Sequence, residues 1–559
     1  MATAAKLADE LLDTWFDAYP LDATVLGIRG RDDRLGDYTL AGEDAVLARI
    51  DDIAARARAL DPGTLDADDR VTRAVVLQQA EAIGDRISAR ALEYTVTDWF
   101  SAPVAELMFM LPMVSIAEQA HADGYLARLA ALPQALGTIA DRHRRGVAQG
   151  RLPVRHQVAA AVAYLDRYLA SPATDGLRRP APPADGPVDD HAFQAGRDRL
   201  LDETVRPALA RYRDALAADI LPHGRPADQA GLCWLPGGDA TYARLVRLHT
   251  STDRTPEELH QTGLDVMARL AEEYIEIGST VFGTGDLAEV LARLRTDPAL
   301  RWKDGDELLD AARAAVSRAE DLAPQWFGRL PSQRCTVEPV PADEAPGAAA
   351  AYYLPPSLDG TRVGTYFANT YKAAERDRYS CEATAFHEAV PGHHFQITLA
   401  LELPDLPLLR RIAWVTAYTE GWGLYAERLA DEMGLYADAV GRLGMVTTDA
   451  MRAARLVVDT GLHAKGWSRQ QAVDYMAANT AMAPVEIDFE IDRYISDPGQ
   501  ALSYMVGRLE IQRIRAEAER TLGDRFDIRA FHDTVLGHGP LPLGVLDEVV
   551  RGWTADRTR

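Results

Sequence analysis

Apolar side chains return at three- and four-residue spacing through most of the chain, as in Val71–Ile87 and Tyr125–Ile139. That period is the signature of helices burying one face, and it predicts packed helices from Ala2 to about Ala170. Ser171–Asp190 (SPATDGLRRPAPPADGPVDD) breaks the pattern with five prolines among Gly and Asp. No helix interior tolerates that composition, so it predicts an exposed loop, with helices resuming at His191. Ser251–Arg254, followed by Pro256, Glu257 and Glu258, predicts a helix start, because polar caps and early acidic residues suit the positive end of the dipole. That helix should run through Ile277. Between Cys335 and Thr370 the texture changes to short β-prone runs, CTVEPVP, AAYYLPP and GTYFANT, separated by Pro, Gly and the Asp359-Gly360 pair. These predict a small antiparallel sheet. Helical patterning returns from Ser380 to Arg520, interrupted at Pro391-Gly392, Pro404–Pro407 and Asp497–Gly499.

Composition narrows the function classes. The 559 residues are 47% apolar and 26% charged, a balance that supports a large folded core. A formal charge of −24, from 84 acidic against 60 basic side chains, disfavours nucleic-acid and anionic-membrane partners. Cys233, Cys335 and Cys381 are too few and too scattered for a disulfide framework, which fits a reducing cytoplasm. The N-terminus, acidic from Asp9 onward, reads as an amphipathic helix rather than a secretory signal.

The chemistry concentrates in His387-Glu388-Ala389-Val390-Pro391-Gly392-His393-His394. Zinc hydrolysis needs imidazole or carboxylate ligands, one open position for water and a carboxylate to accept that water's proton. In the HExxH arrangement the two histidines share a helical face one turn apart, but here the fourth residue after His387 is Pro391, which cannot ligate. Six residues of regular helix would turn His393 by about 120° from His387 and lift it about 9 Å; His394 would share the face but lie about 10.5 Å along it. A Pro-Gly bulge is needed to bring either one beside His387. His393 is favoured as the ligand and His394 as a donor on the oxyanion side, the ordering being left open. Trp414–Met433 (WVTAYTEGWGLYAERLADEM) is strongly helical and offers Glu420 as third ligand, with the following Gly-Trp-Gly allowing close helix approach. Glu427, two turns on, is placed to orient a histidine. Glu388 is the candidate general base, while His463 and Cys381 read as structural.

The strings FHEAVPGHHFQ, TEGWGLYAE and DPGQALSYMVGRLEI, with YLPPSLDGTRVGTYFANT and RLVVDTGLHAKGWS, together resemble a bacterial family known as domain of unknown function 885. The likeness runs from about Ala2 to Trp553. That family is grouped with gluzincin metallopeptidases similar to thimet oligopeptidase, angiotensin-converting enzyme and the thermostable carboxypeptidases. The resemblance implies a mainly α fold with a deep cleft in one 559-residue unit, residues 1–334 forming the cleft wall and 335–559 the catalytic part. It implies one Zn2+ per chain held by His387, His393 and Glu420, with Glu388 as base. By analogy with gluzincin tyrosines, Tyr504 would donate a hydrogen bond to the developing oxyanion.

Around that centre, Arg493 is a candidate for a substrate carboxylate, Gln500 lies in the same polar segment, and Tyr366 and Asn369 fall in the Gly364–Thr370 run, a possible edge for an extended peptide. The expected function is a zinc peptidase or carboxypeptidase acting on short peptides. Two other readings stand beside it: a pathway-specific hydrolase or lyase acting on an amino-acid conjugate, and a non-catalytic helical binding protein.

Overall fold

The computed structural model describes residues 3–558 except 343, 344, 346, 347, 359 and 361; the turn expected at Asp359 therefore lies outside the described residues. Helices dominate, as the periodicity predicts. The N-terminal helices that matter below are α1 (Ala4–Ala18), α2 (Leu40–Ala59), α3 (Ala67–Ser88), α4 (Gln119–Ala148), α5 (Arg155–Ala170), α6 (Gly238–Thr250), α7 (Pro256–Phe282) and α8 (Gly305–Trp326). The helix expected to start near Ser251 is α7. Its cap is Thr255, whose hydroxyl accepts from the Glu258 N–H while Glu258 reaches back to the Thr255 backbone, a reciprocal capping box.

The proline-rich stretch is a loop with two short 3-10 turns, but it is not uniformly exposed. Leu177 is fully buried and its carbonyl accepts from the Tyr125 hydroxyl of α4 at 2.8 Å. Asp175, paired with Arg206 at 3.2 Å, and Val188 are buried with Leu177, so the segment is pinned at several points.

Strands β1 (Thr336–Pro339), β2 (Ala351–Leu354) and β3 (Thr365–Ala368) form the expected small sheet, in the order β1-β3-β2. It is mixed, not antiparallel: β1 runs parallel to β3, pairing Thr336 with Thr365, and β2 runs antiparallel, pairing Tyr353 with Tyr366. The direction of β1 was not legible because the connection to β3 passes through β2. With β3 central, Gly364–Thr370 offers no free edge to a peptide.

After the sheet come α9 (Cys381–Glu388), α10 (His393–Leu401), α11 (Thr416–Glu432), α12 (Ala439–His463), α13 (Pro484–Ser496), α14 (Ser503–Leu522) and α15 (Leu543–Thr558). Three apolar cores form among the described residues. In the first, Leu7, Ile50 and Val75 of α1–α3 pack with Phe386, Phe395, Trp422 and Val550. The N-terminal helices thus share a core with the C-terminal half. The second joins α6 and α7 to α12 and α14, and the third lies wholly between Leu21 and Ile220.

Several charged groups inside these cores are paired, which offsets the cost of burying them. Asp449 of α12, fully buried, accepts from Arg428 of α11 and Arg508 of α14, and Arg428 also reaches Glu273 of α7 at 2.7 Å. Burial opposes its charge, but the two guanidiniums hold the Asp449 carboxyl below its ordinary range. One carboxylate therefore ties three helices directly and a fourth through Arg428. His463, named as structural from sequence, accepts the Leu232 N–H and donates to the Tyr494 carbonyl, and burial depresses it to about 3.

Helices α11 and α14 approach each other closely through glycines. A Cβ on Gly421 would stand 2.4 Å from the Gly507 Cα, and one on Gly507 would stand 1.8 Å from the Ala417 carbonyl oxygen. Nothing there can yield except backbone, so Gly421→Ala should cost about 1–3 kcal/mol and lower the melting temperature. At Gly84, inside α3, nothing lies within 4 Å of the position a Cβ would take. Gly84→Ala should instead stabilise by about 0.5–1 kcal/mol through its helix propensity. Denaturant melts of the two variants read the opposite signs directly.

Candidate metal centre

The HEAVPGHH segment does not form a bulge within one helix. Helix α9 stops at Glu388, Val390–Pro391 is cis, and α10 starts afresh at His393. Two short helices thus meet at the break and bring their histidines together: the rings of His387 and His393 lie 4.6 Å apart, edge to face at 84°.

Helix α11 supplies the rest. Its Gly421-Trp422-Gly423 triplet has three separate tasks. Gly421 admits α14, as above. Trp422, fully buried, donates its indole N–H to the Pro391 carbonyl at 2.8 Å and so fixes the break between α9 and α10. A Cβ on Gly423 would lie 2.7 Å from His387 Cε1 and 2.8 Å from Nε2, so the imidazole occupies the space that any side chain there would fill.

Glu420, one residue before the triplet, points its Oε2 at His387 Nε2 (3.5 Å) and His393 Nε2 (3.3 Å). Ligand atoms of His387, His393 and Glu420 all lie within 4.8 Å of one another. Glu427, fully buried, accepts from His387 Nδ1 at 2.8 Å, and the Thr448 hydroxyl donates to its other oxygen. That hydrogen bond fixes the tautomer, leaving Nε2 as the donor atom facing Glu420. His393 Nδ1 is buried and has no hydrogen-bond partner among the described residues.

Burial disfavours a charged His387, but hydrogen bonding with Glu420 and Glu427 outweighs it and raises the imidazole to about 9. Glu420 is held well below its ordinary value, burial being overcome by both histidines. The pocket is electrostatically prepared for a cation. Two imidazole nitrogens and one carboxylate are the donor set of a catalytic zinc site, which keeps one position open. The residues present fit the ion that the sequence implies.

The structure places the other expected residues variously. Glu388 ends α9, next to His387, and is half-buried, where water can reach it. Tyr504, at the start of α14, lies roughly parallel to His387 at 6.4 Å between centroids. His394 is a correction. Its Nε2 donates to the Gln333 carbonyl at 2.9 Å and its Nδ1 accepts from the Tyr353 hydroxyl at 3.0 Å, so neither nitrogen is left to ligate or to donate to a substrate. Asn369 is a second correction: fully buried, it donates to the Ala345, Ala348 and Ala349 carbonyls and accepts from the Tyr371 N–H, which makes it a loop staple. Tyr366 is buried in β3, and burial first, then the neighbouring Cys381 and Glu388, holds its phenol protonated, well above the ordinary value. Arg493 and Gln500 bond to each other at 2.6 Å beside Tyr504. Arg455, missed from sequence, sits over the Tyr504 ring at 4.4 Å; its signal was a pair of opposite charges, Arg455 and Asp459, flanking the apolar Leu456-Val457-Val458.

Fold and site together define a mainly helical protein with a buried His-His-Glu cluster. The chain belongs to the family described as bacterial protein of unknown function (DUF885), whose profile matches residues 20–550. No curated protein matches it. Among solved structures it is similar to a protein of Colwellia psychrerythraea described as a putative lipoprotein, at 27% identity and a TM-score of 0.90, covering 99% of each chain. It is also similar to a Shewanella oneidensis protein described as a putative lipoprotein of unknown function, at 18% identity and a TM-score of 0.76, covering 99% of this chain and 100% of that one.

With His387 raised, an ion held by this cluster would bind in a pH-dependent way. The imidazole proton, held up to about pH 9, must leave before Nε2 can ligate, whereas Glu420 is already ionised. Apparent zinc affinity should therefore rise about tenfold per pH unit between pH 6 and 8, with one proton released per ion. Glu427→Gln should lower zinc affinity about 10- to 100-fold and flatten that slope. Calorimetry in buffers of different ionisation enthalpy measures both.

Proposed function

We propose that this protein is a zinc-dependent hydrolase of the gluzincin type that cleaves an amide bond in short peptides. The observation that carries the reading is the convergence of His387, His393 and Glu420 within 4.8 Å, with Glu388 adjoining His387 at the end of α9. His387 and His393 would hold the ion through Nε2 and Glu420 through a carboxylate oxygen, which leaves a fourth position open to solvent or substrate. When bound, Zn2+ supplies Lewis acidity to a water molecule and to the scissile carbonyl.

The chain's own groups divide the remaining work. Glu388 takes the attacking water's proton and passes it to the departing amine, a role that suits a half-buried carboxylate at a helix end. Tyr504, whose ring lies 6.4 Å from that of His387, donates a hydrogen bond to the oxygen on which charge develops. Glu427 holds His387 in the ligating tautomer.

No described helix is long and apolar enough to cross a membrane. Three free thiols, Cys233, Cys335 and Cys381, support a reducing, cytoplasmic location. The lipoprotein descriptions of the two similar chains support a membrane-attached one instead.

Protein purified without added metal should carry one zinc per chain by elemental analysis, lost in His387→Ala and in Glu420→Ala. Glu388→Gln should keep the zinc and lower turnover of a fluorogenic peptide mixture by about 10²- to 10⁴-fold. Full activity in that variant removes the proposed base, and a wild type that binds no zinc after reconstitution removes the function.

A further inference from the structure

Tyr504 is held from two directions by residues that do not touch the ligand cluster. Across its ring, the Arg455 guanidinium lies 4.4 Å from the centroid. At its hydroxyl, Arg493 Nη2 donates at 3.3 Å and Gln500 Nε2 reaches the same oxygen at 3.5 Å. Arg493 and Gln500 also bond to each other, Nη2 to Oε1, at 2.6 Å, so the three side chains close a triangle. Behind them stands Glu490 of α13. It accepts from Arg493 Nη1 at 3.2 Å and from Arg455 Nη2 at 2.8 Å, so one carboxylate fixes both guanidiniums. The Asp497–Gly499 break that positions Gln500 is itself anchored: the Gly499 N–H donates to buried Asp459 at 3.1 Å.

A phenol oxygen accepts two hydrogen bonds and donates one. With Arg493 and Gln500 both directed at its acceptor side, the polar function left to Tyr504 is its own O–H. The arrangement is costly to build: long side chains are ordered, and a buried cation, Arg455, stands close to a half-buried one, Arg493. It has a purpose if the hydroxyl must point one way. Arg493 and Gln500, by contrast, are committed to Tyr504, to Glu490 and to each other, which does not suit a substrate-binding pair.

We propose that Arg493 and Gln500 are positioning residues, which orient the Tyr504 hydroxyl as the donor to the oxyanion formed at the metal centre. The inference rests on the peptidase reading above. It predicts a loss of transition-state stabilisation, with substrate binding left intact.

The test is a double-mutant cycle on zinc-loaded, full-length protein, pairing Arg493→Met and Gln500→Met with Tyr504→Phe. Two readouts are taken: kcat and KM on a fluorogenic peptide mixture, and calorimetric Kd for a phosphinic tripeptide, whose tetrahedral oxygens mimic the oxyanion. Each single variant should lower kcat by about 10- to 100-fold, with KM within about twofold of wild type and phosphinic-peptide binding weakened by a similar factor. Adding Arg493→Met to Y504F should cost less than about a further twofold, since the group being positioned is already gone. Arg493→Lys, which keeps one donor and the charge, should recover part of the loss. Zinc content and melting curves identify any variant that fails to fold; Arg493→Lys and Gln500→Met then carry the cycle. A raised KM with unchanged kcat in Arg493→Met, or losses that multiply with Y504F, overturns the positioning role alone. A zinc-loaded wild type that neither cleaves the peptides nor binds the phosphinic tripeptide overturns the peptidase reading, and this inference with it.

Discussion

The site depends on how closely helix α11 lets its neighbours approach. On one side Gly421 meets Gly507, and on the other the His387 ring occupies the volume a side chain at Gly423 would take. Between them Trp422 grips the Pro391 carbonyl. Three consecutive residues therefore set the distances from Glu420 to two histidines and to Tyr504 at once. Because interiors are close-packed and compress little, these spacings cannot drift independently. A displacement of α14 at Gly507 is also a displacement of Tyr504, three residues earlier.

Much of this was legible in the chain, for identifiable reasons. Helices announced themselves because a 3.6-residue period survives any tertiary arrangement, and Glu420 and Glu427 stood out because seven residues is close to two full turns on one face. The choice between His393 and His394 was not legible. Adjacent residues at a helix start differ by about 100° in direction, and partners distant in sequence, the Gln333 carbonyl and the Tyr353 hydroxyl of β2, hold the His394 ring away from the cluster. Asn369 misled for a similar reason: its amide looks available in sequence, but the carbonyls it satisfies belong to Ala345–Ala349, some twenty residues away. The direction of β1 was hidden because strand patterning records which face is buried and says nothing about polarity.

Buried charge was the other thing sequence could not apportion. Arginines 428, 455, 493 and 508 lie in helices whose apolar pattern gives no hint that they turn inward. Each is held by a carboxylate that turns inward with it: Asp449 for Arg428 and Arg508, Glu490 for Arg455 and Arg493. An isolated buried charge costs several kcal/mol even after relaxation, and pairing is what makes it tolerable. These pairs join α11, α12, α13 and α14, so the electrostatics that satisfies the arginines also locks the helices on which Glu420 and Tyr504 are carried.

The same rule, applied at the ligand cluster, constrains what the pocket can hold. Glu420 and Glu427 place two carboxylates around the His387 ring, one on each nitrogen, in a region where His387 and Glu427 are almost wholly buried. Glu427 is not left alone with that ring: the Arg452 guanidinium lies 4.0 Å from it. Glu420 has both imidazoles as ion-pair partners, and a protonated His387 offsets its charge when no metal cation is bound. At the two Nε2 atoms and Glu420 an ion would meet borderline nitrogen donors together with a hard oxygen, a set that suits zinc better than calcium or magnesium. Donor chemistry, rather than charge balance, is therefore what supports the proposed occupant, because Arg452 already meets part of the negative charge.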